Sequence, residues 1–236
     1  MKFLSIALLS CIVNSVVLAQ EGVTAPVYKP TFMTGYDSFS GGTSFVASNP
    51  RGDGQILVTA LHLFGPACGL QKQLTPEEVF KVFHAVTGIG MSDYKSFVTS
   101  STPVLLKKAN VSEDDGCAGD LAIYRLPAGA VEKPLVFTKT LPKVGDTVYV
   151  IGRQRGSEKL ERLMAEVVES DTKNLVYKFE RKGLKTAGTS GAPVVNEKGE
   201  VVGMNTGGGQ EGDVQFGFAN PAKAILGTIA AAEKGG

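Results

Sequence analysis

The chain has almost no excess charge of either sign. Among 236 residues, 24 Lys and Arg balance 23 Asp and Glu, for a net charge of +1. No basic surplus exists to attract a polyanion, so there is no electrostatic footprint for nucleic acid. No block of like charge suits a tail that adheres to a membrane. Histidine is scarce: only His62 and His84 occur, and with three cysteines they supply no set of zinc ligands. No metal and no organic cofactor is expected. Long apolar runs are missing beyond the first 19 residues, so no later segment reads as a bilayer span. Residues 41–230 contain neither a repeat nor a low-complexity tract.

What is present describes a globular protein. Apolar residues make up 43% and charged residues 20%, which excludes a disordered, collagen-like or coiled-coil chain. Glycine and proline together supply about one residue in six, as expected of a fold with many turns and many strands. One structural unit is the simplest account of residues 41–230, with room for two packed barrels.

The first residues read as a leader. Lys2 is the only charge before Glu21, and Phe3 to Ile12 and Val16 to Ala19 are mostly apolar. Asn14 and Ser15 interrupt the run, which is too short for a good transmembrane span. Val17-Leu18-Ala19 fits a small-residue cleavage site, leaving Gln20 as the new N-terminus. Residues 1–19 are therefore expected to be a signal peptide, and the mature protein to be secreted or periplasmic, with no membrane association after the leader is removed. The alternatives are a buried N-terminal element and a lipoprotein signal at Leu9-Ser10-Cys11. Export would leave Cys68 and Cys117 in an oxidising compartment, which suggests a disulfide; the alternative is two free buried thiols. Residues 20–40 show no period and are expected to form an extended N-terminal arm ahead of a domain at 41–236.

Short apolar or alternating runs follow, each bounded by turn residues. Strands are expected at Thr43–Ser48, Gln55–Leu61, Pro103–Lys107, Leu121–Leu126, Thr147–Gly152, Leu163–Glu169, Asn174–Phe179, Pro193–Asn196, Val201–Asn205 and Val214–Ala219. Many short strands suit a sandwich or barrel. Two helices stand out. Thr75-Pro76-Glu77-Glu78 has the form of a capping box with Pro at the first helical position, and Val79, Val82, Phe83 and Val86 follow at helical spacing. The second starts at Asn220-Pro221 and continues through Ile225, Leu226 and Ile229.

The sharpest chemical motif is Ala187-Gly188-Thr189-Ser190-Gly191-Ala192-Pro193-Val194. A serine between glycines on a tight turn suits a nucleophile, with backbone N–H groups free to converge on an oxyanion. By itself the motif equally fits an ordinary Gly-rich turn. A serine hydroxyl needs a neighbouring base. His62 ends the apolar run Ile56–Leu61 and is the better candidate; His84 reads as an ordinary residue of the capped helix. Asp120, opening Leu121-Ala122-Ile123-Tyr124, suits the group that orients the imidazole, whereas Asp114 and Asp115 read as solvated. The order His62, Asp120, Ser190 differs from that of α/β-hydrolases and of subtilisins.

That order, with five motifs in sequence, resembles the chymotrypsin-like (trypsin-like) serine peptidases, in the compact bacterial form similar to HtrA protease domains and glutamyl endopeptidases. Leu57–His62 resembles the family's histidine motif, Gly119–Ile123 its aspartate motif and Gly188–Val194 its serine motif. Val201–Thr206 and Gly217–Pro221 resemble the strands that follow. The resemblance implies an all-β fold: two packed six-stranded antiparallel barrels, a short helix after the histidine and a C-terminal helix. It implies a secreted serine endopeptidase acting on protein or peptide substrates. Ser190 would attack the carbonyl, His62 would carry the proton, Asp120 would hold the imidazole, and the N–H groups of Gly188 and Ser190 would form the oxyanion hole. It also places Cys68 near His62 and Cys117 near Asp120, and so implies a Cys68–Cys117 disulfide bracing the triad. By alignment the substrate side-chain pocket is lined by Leu184, Asn205, Thr206 and Phe216.

The departures from the family pattern matter. Leu61 stands where Ala is usual, and Ala192 where Gly is common. Thr189 replaces the Asp that animal digestive enzymes pair with a newly cut N-terminus, so no activation switch of that type is expected. None of the four pocket residues is acidic, which argues against Arg or Lys specificity. Asn205 stands where glutamyl endopeptidases carry a histidine, which argues against Glu. Small or medium apolar side chains fit best. Lys178, Arg181, Lys182 and Lys185 read as a solvated strand face, with attraction for acidic substrates as the alternative. Two other functions compete: a catalytically silent binding module on the same fold, and an esterase-like serine hydrolase. Asn110-Val111-Ser112 is a glycosylation sequon, relevant in a eukaryotic secretory route.

Overall fold

The structure, a computed structural model, describes residues 23–35, 37–52, 54–111 and 116–232. The leader, the lipoprotein alternative at Cys11, Ser112 of the sequon, and Asp114 and Asp115 lie outside the described residues.

Two lobes follow one another along the chain. The first comprises β1 (Val27–Thr34), β2 (Ser38–Ser40), β3 (Ser44–Ser48), β4 (Gln55–Thr59), α1 (Pro76–Val82), β5 (Phe83–Gly90), β6 (Phe97–Ser100) and β7 (Ala122–Leu126). Its sheet has the order β6-β5-β1-β3-β4-β7, with β2 also paired to β1. All five residues of β4 are buried, as an uninterrupted Ile-Leu-Val run requires. The second lobe comprises β8 (Thr147–Gly152), β9 (Glu161–Ser170), β10 (Leu175–Phe179), β11 (Pro193–Val195), β12 (Val201–Glu211) and β13 (Val214–Pro221). These close into an antiparallel barrel, β10-β13-β12-β11-β8-β9. The helix α2 (Ala222–Ala232) ends the described chain and buries Ala222, Ile225 and Ile229. No helix among the described residues is long and apolar enough to cross a membrane.

The architecture is the all-β, two-lobed chymotrypsin-like one, but only the second lobe is a closed six-stranded barrel; the first is a seven-stranded half-barrel sheet where a six-stranded barrel was expected, and three further details differ. First, the segment expected as an arm supplies β1, inside the first sheet. Tyr28, Pro30 and Phe32 alternate inward, a period interrupted for the eye by Pro30. Pro30 is tolerated because it lies between the β3 pairing at Val27 and Tyr28 and the β2 pairing at Thr31 to Met33. Second, the helix begun by Thr75 stops at Val82, so Phe83, His84 and Val86 belong to β5. Third, Pro103–Lys107 forms no strand; Pro103 makes only an isolated bridge to Tyr124. That segment nevertheless closes the open side of the first sheet. Ser100 Oγ donates to Arg125 O (2.7 Å), Arg125 N to Thr102 O (2.8 Å) and Val104 N to Ile123 O (2.9 Å).

The larger apolar core fills the first lobe around Phe32, Phe45, Phe64 and Tyr124 and continues through Met204 to Ile225 of α2. The smaller one fills the second barrel around Leu175, Tyr177 and Val194. Burying each such side chain is worth about 1.5–3 kcal/mol. The two lobes are therefore rigid platforms, and the loops between their strands carry the polar groups.

Candidate active site

Register brings the first two candidates together. β4 and β7 are antiparallel neighbours, with Thr59 opposite Ala122. The chain leaving β4 and the chain entering β7 thus meet at the same end of the sheet. His62 sits three residues beyond Thr59, on a 3-10 turn at Leu61–Phe64 whose Leu61, Leu63 and Phe64 are buried. Asp120 sits two residues ahead of Ala122. Its carboxylate accepts both the His62 backbone N–H at Oδ1 (2.9 Å) and His62 Nδ1 at Oδ2 (2.6 Å). Asp120 is buried, so this pairing also satisfies a carboxylate that would otherwise be costly to desolvate. With Nδ1 engaged, Nε2 is left as the basic nitrogen. Asn220 braces the same loop by donating to Ala118 O (3.1 Å) and Asp120 O (3.4 Å). Leu61 packs into the first core, sharing a small cavity wall with Val79, Leu106 and Leu121.

Ser190 comes from the second lobe, on the loop before β11. Two glycines give this loop its path: Gly188 has φ +94° and Gly191 φ +86°, and a Cβ on Gly191 would overlap Thr43 O. Thr43, at the start of β3, grips the loop from the first lobe. Its N–H donates to Ser190 O (2.7 Å) and its Oγ1 to Gly188 O (2.8 Å). Gly42 is wedged between Ser190 O and Leu63, the neighbour of His62. The Ser190 hydroxyl donates to Thr206 O at 3.4 Å rather than to His62. Joining it to the imidazole requires the hydroxyl to leave that acceptor. Long or misaligned nucleophile contacts are common before a ligand binds. Among the described residues, neither the Gly188 N–H nor the Ser190 N–H donates to an internal acceptor.

The expected pocket lining divides. Thr206 and Phe216 are half-buried. Leu184 instead belongs to the second-barrel core, 7% exposed. Asn205 is 2% exposed and wholly engaged: its Nδ2 donates to Thr189 O and Thr189 Oγ1 (both 3.1 Å), and its Oδ1 accepts from Tyr177 OH (2.5 Å). These two side chains are internal supports and do not face a substrate.

The Cys68–Cys117 disulfide is not formed; both thiols are free. Cys68 lies against Gly41, and Cys117 against Thr206, Asp120 and Glu169. Burial pushes both thiols above their ordinary range; at Cys117 the charges of Asp120 and Glu169 add to it and the Thr206 hydroxyl opposes it. Of the basic cluster, Lys178 pairs with Glu166 (3.2 Å), Arg181 with Glu161 (2.8 Å) and Lys182 with Asp213 (3.0 Å). His84 is exposed on β5, away from this chemistry. Thr43, Tyr177 and Asn220 escaped sequence reading, because their roles depend on contacts between remote strands and on no local motif.

Comparison with known proteins gives a consistent result. A sequence model of the trypsin-like peptidase domain matches residues 42–204. Among solved structures, the Rv3671c protease of M. tuberculosis in its active form aligns with a TM-score of 0.56 at 21% identity, over 89% of this chain and 82% of that one. Its inactive form aligns with a TM-score of 0.52 at 19% identity, over 88% and 89%. The HtrA-type protease AlgW with a tripeptide aligns with a TM-score of 0.54 at 16% identity, over 88% of this chain and 60% of that one. At these identities the likeness is one of fold. No curated protein sequence matches.

Proposed function

The chain belongs to the trypsin-like peptidase family, and from that premise we propose that it is an exported serine endopeptidase using His62, Asp120 and Ser190. The observation that carries this reading is the pair of hydrogen bonds that one buried carboxylate accepts from the ring and the backbone N–H of His62. That arrangement fixes the tautomer and the plane of the imidazole, and stabilises the imidazolium that forms when Nε2 takes a proton.

The steps follow from the groups present. Ser190 Oγ rotates from the Thr206 carbonyl towards His62 Nε2, loses its proton to that nitrogen and attacks the substrate carbonyl. The N–H groups of Gly188 and Ser190 receive the developing oxyanion. His62 returns the proton to the leaving amine, and water then repeats the sequence on the acyl-enzyme. An extended peptide has a natural seat. The segment leading into β11 bonds β12 as far as Asn205, so beyond Thr206 the edge of β12 turned away from β13 is open. Gly207, Gly208 and Gly209 carry no side chains there, and a substrate backbone can add to that edge as a strand. With Leu184 and Asn205 withdrawn into the core, Thr206, Phe216 and the glycines are left as walls, which supports a preference for small or medium apolar side chains. Export rests on the leader at residues 1–19.

A second reading, a protease-fold binding module, draws on the Ser190 hydroxyl resting on Thr206. A fluorophosphonate probe separates the two. The wild type should be labelled, and Ser190→Ala and His62→Ala should not. Both variants should lose about 10⁴-fold or more in kcat on peptide substrates. Folded wild-type protein that resists the probe and cleaves nothing in a peptide library would favour the module.

A further inference from the structure

We propose that Asn205, fixed in orientation by Tyr177, is the positioning residue that turns the Ser190 N–H into the cleft by holding the Thr189 carbonyl inward. This deepens the peptidase reading and rests on it.

The argument starts from the peptide unit. In a trans peptide the C=O and the N–H point in opposite directions. The Thr189 carbonyl and the Ser190 N–H belong to the same unit, so whatever holds one aims the other. Asn205 Nδ2 holds that carbonyl at 3.1 Å, inside the barrel. The Ser190 N–H is thereby sent to the opposite side, where an oxyanion donor is needed. Thr43 holds the carbonyls of Gly188 and Ser190 from the first lobe, but neither of those shares a peptide unit with the Ser190 N–H. The Ala192 N–H also donates to the Thr189 carbonyl (2.9 Å), a bond within the loop itself, and Asn205 is the side chain that adds to that hold from β12 and draws the carbonyl inward.

The polarity of the network is set by its neighbours. Thr189 Oγ1 gives its proton to Thr186 O (2.7 Å), so it presents a lone pair to Asn205. Thr189 O is also an acceptor. Both require the NH₂ end of the amide. Tyr177 OH donates to the other end, Oδ1, at 2.5 Å. Swapping the amide ends would set Oδ1 against two acceptors, in a site where Tyr177, Asn205 and Thr189 are 0%, 2% and 2% exposed. Burial also pushes the Tyr177 hydroxyl well above its ordinary range, so it remains a donor through the neutral and mildly alkaline region. The backbone of Asn205 completes the grip: Gly191 N donates to Asn205 O (2.7 Å) and Asn205 N to Ala192 O (2.8 Å). One residue of β12 thus holds the serine loop at four places. Thr189 replaces an aspartate that would need a chain terminus as its partner; here the partner is internal and the loop is formed without one.

The test compares wild type with Asn205→Asp, Tyr177→Phe and the double variant, each checked for folding by circular dichroism and thermal melting. Asn205→Asp keeps the shape but sets a carboxylate oxygen against Thr189 O; Tyr177→Phe removes only the hydroxyl that fixes the amide, and stands in should the buried charge prevent folding. Steady-state kinetics on a peptide substrate are read beside the affinity of a peptide boronate, which forms a tetrahedral adduct, and of the corresponding product peptide, which does not. Loss of an oxyanion donor predicts a kcat lower by about 10²-fold for Asn205→Asp and about 10-fold for Tyr177→Phe, with KM little changed. Boronate affinity should fall in step with kcat/KM, product affinity should hold, and the double variant should be no worse than Asn205→Asp. Folded variants with wild-type kcat and boronate affinity would overturn the proposal, as would a rise in KM alone or losses matching the unfolded fraction. A wild type that neither turns over peptides nor binds boronate would overturn the peptidase reading, and this proposal with it.

Discussion

At the scale of single residues, one buried carboxylate, Asp120, accepts both the ring and the backbone N–H of His62, and one buried amide, Asn205, is held at both ends. His62, Asp120 and Ser190 are groups suited to the proposed relay, and the structure brings the first two into direct contact. Alignment puts Asn205 in the pocket because it gives a position along a strand, whereas the burial of its amide depends on Tyr177 of another strand. The expected Cys68–Cys117 bridge is not formed for a similar reason. Closeness in sequence to His62 and Asp120 says nothing of the direction in which each thiol points, and the two point to Gly41 and to Thr206. Two half-buried thiols with raised pKa values hold little reactive thiolate at neutral pH. The unreduced protein, unfolded and alkylated, should therefore gain two labels on the peptides of Cys68 and Cys117. In the native state at neutral pH alkylation should be slower than for a small thiol, and it should accelerate only above the ordinary thiol range. A digest containing a cross-linked pair of these peptides would refute both statements.

At the scale of elements, a bulge disguised a strand as a helix. Val79, Val82, Phe83 and Val86 are spaced as a helical stripe, yet only the first two lie in α1. In β5 the pairing with β1 runs Met33 to Ala85 and then Thr34 to Phe83, so His84 is an extra residue. The bulge shifts the alternation and turns both Phe83 and Val86 inward, three residues apart. The cap was nevertheless read correctly: Thr75 accepts from the Glu78 N–H (3.2 Å) and Glu78 from the Thr75 N–H (2.9 Å), with Lys72 on the same carboxylate. A seven-residue helix depends heavily on such a cap. Thr75→Ala should cost about 1 kcal/mol of stability. Thermal melting should show this as a drop of about 2–4 °C for a chain of this size. The kcat should be retained, since α1 makes no hydrogen bond to His62, Asp120 or Ser190; an unshifted melting temperature would show the cap to be idle.

At the scale of the whole molecule, the proposed site is a joint between two lobes. The first supplies His62, Asp120 and Thr43; the second supplies the serine loop, Asn205 and the open edge of β12. Neither half holds a complete site, so activity should track the integrity of the whole, and the pH range of stability bounds that of function. On the acid side, backbone N–H groups hold the carboxyls of Asp93 and Asp171 below their ordinary 3.8, and Lys72 holds Glu78 below 4.5. The folded state therefore binds fewer protons than the unfolded chain there, and stability falls as pH drops through this region. On the alkaline side, burial pushes Cys68 and Cys117 above 9.0 and Tyr124 and Tyr177 well above 10.0. The unfolded chain releases those protons first, so stability falls as pH rises through 9.0 and beyond 10.0. Chemical denaturation across pH should give a plateau from about pH 5 to 8 with a decline on each side. Tyr124 offers a test of the alkaline limb, because its buried hydroxyl has no hydrogen-bond partner among the described residues. Tyr124→Phe removes a group that is costly to bury, so it should stabilise the protein at neutral pH and weaken the alkaline decline. A variant that is destabilised at pH 7, or that keeps the full alkaline decline, would show that this hydroxyl has a partner and that its ionisation is not what limits the fold.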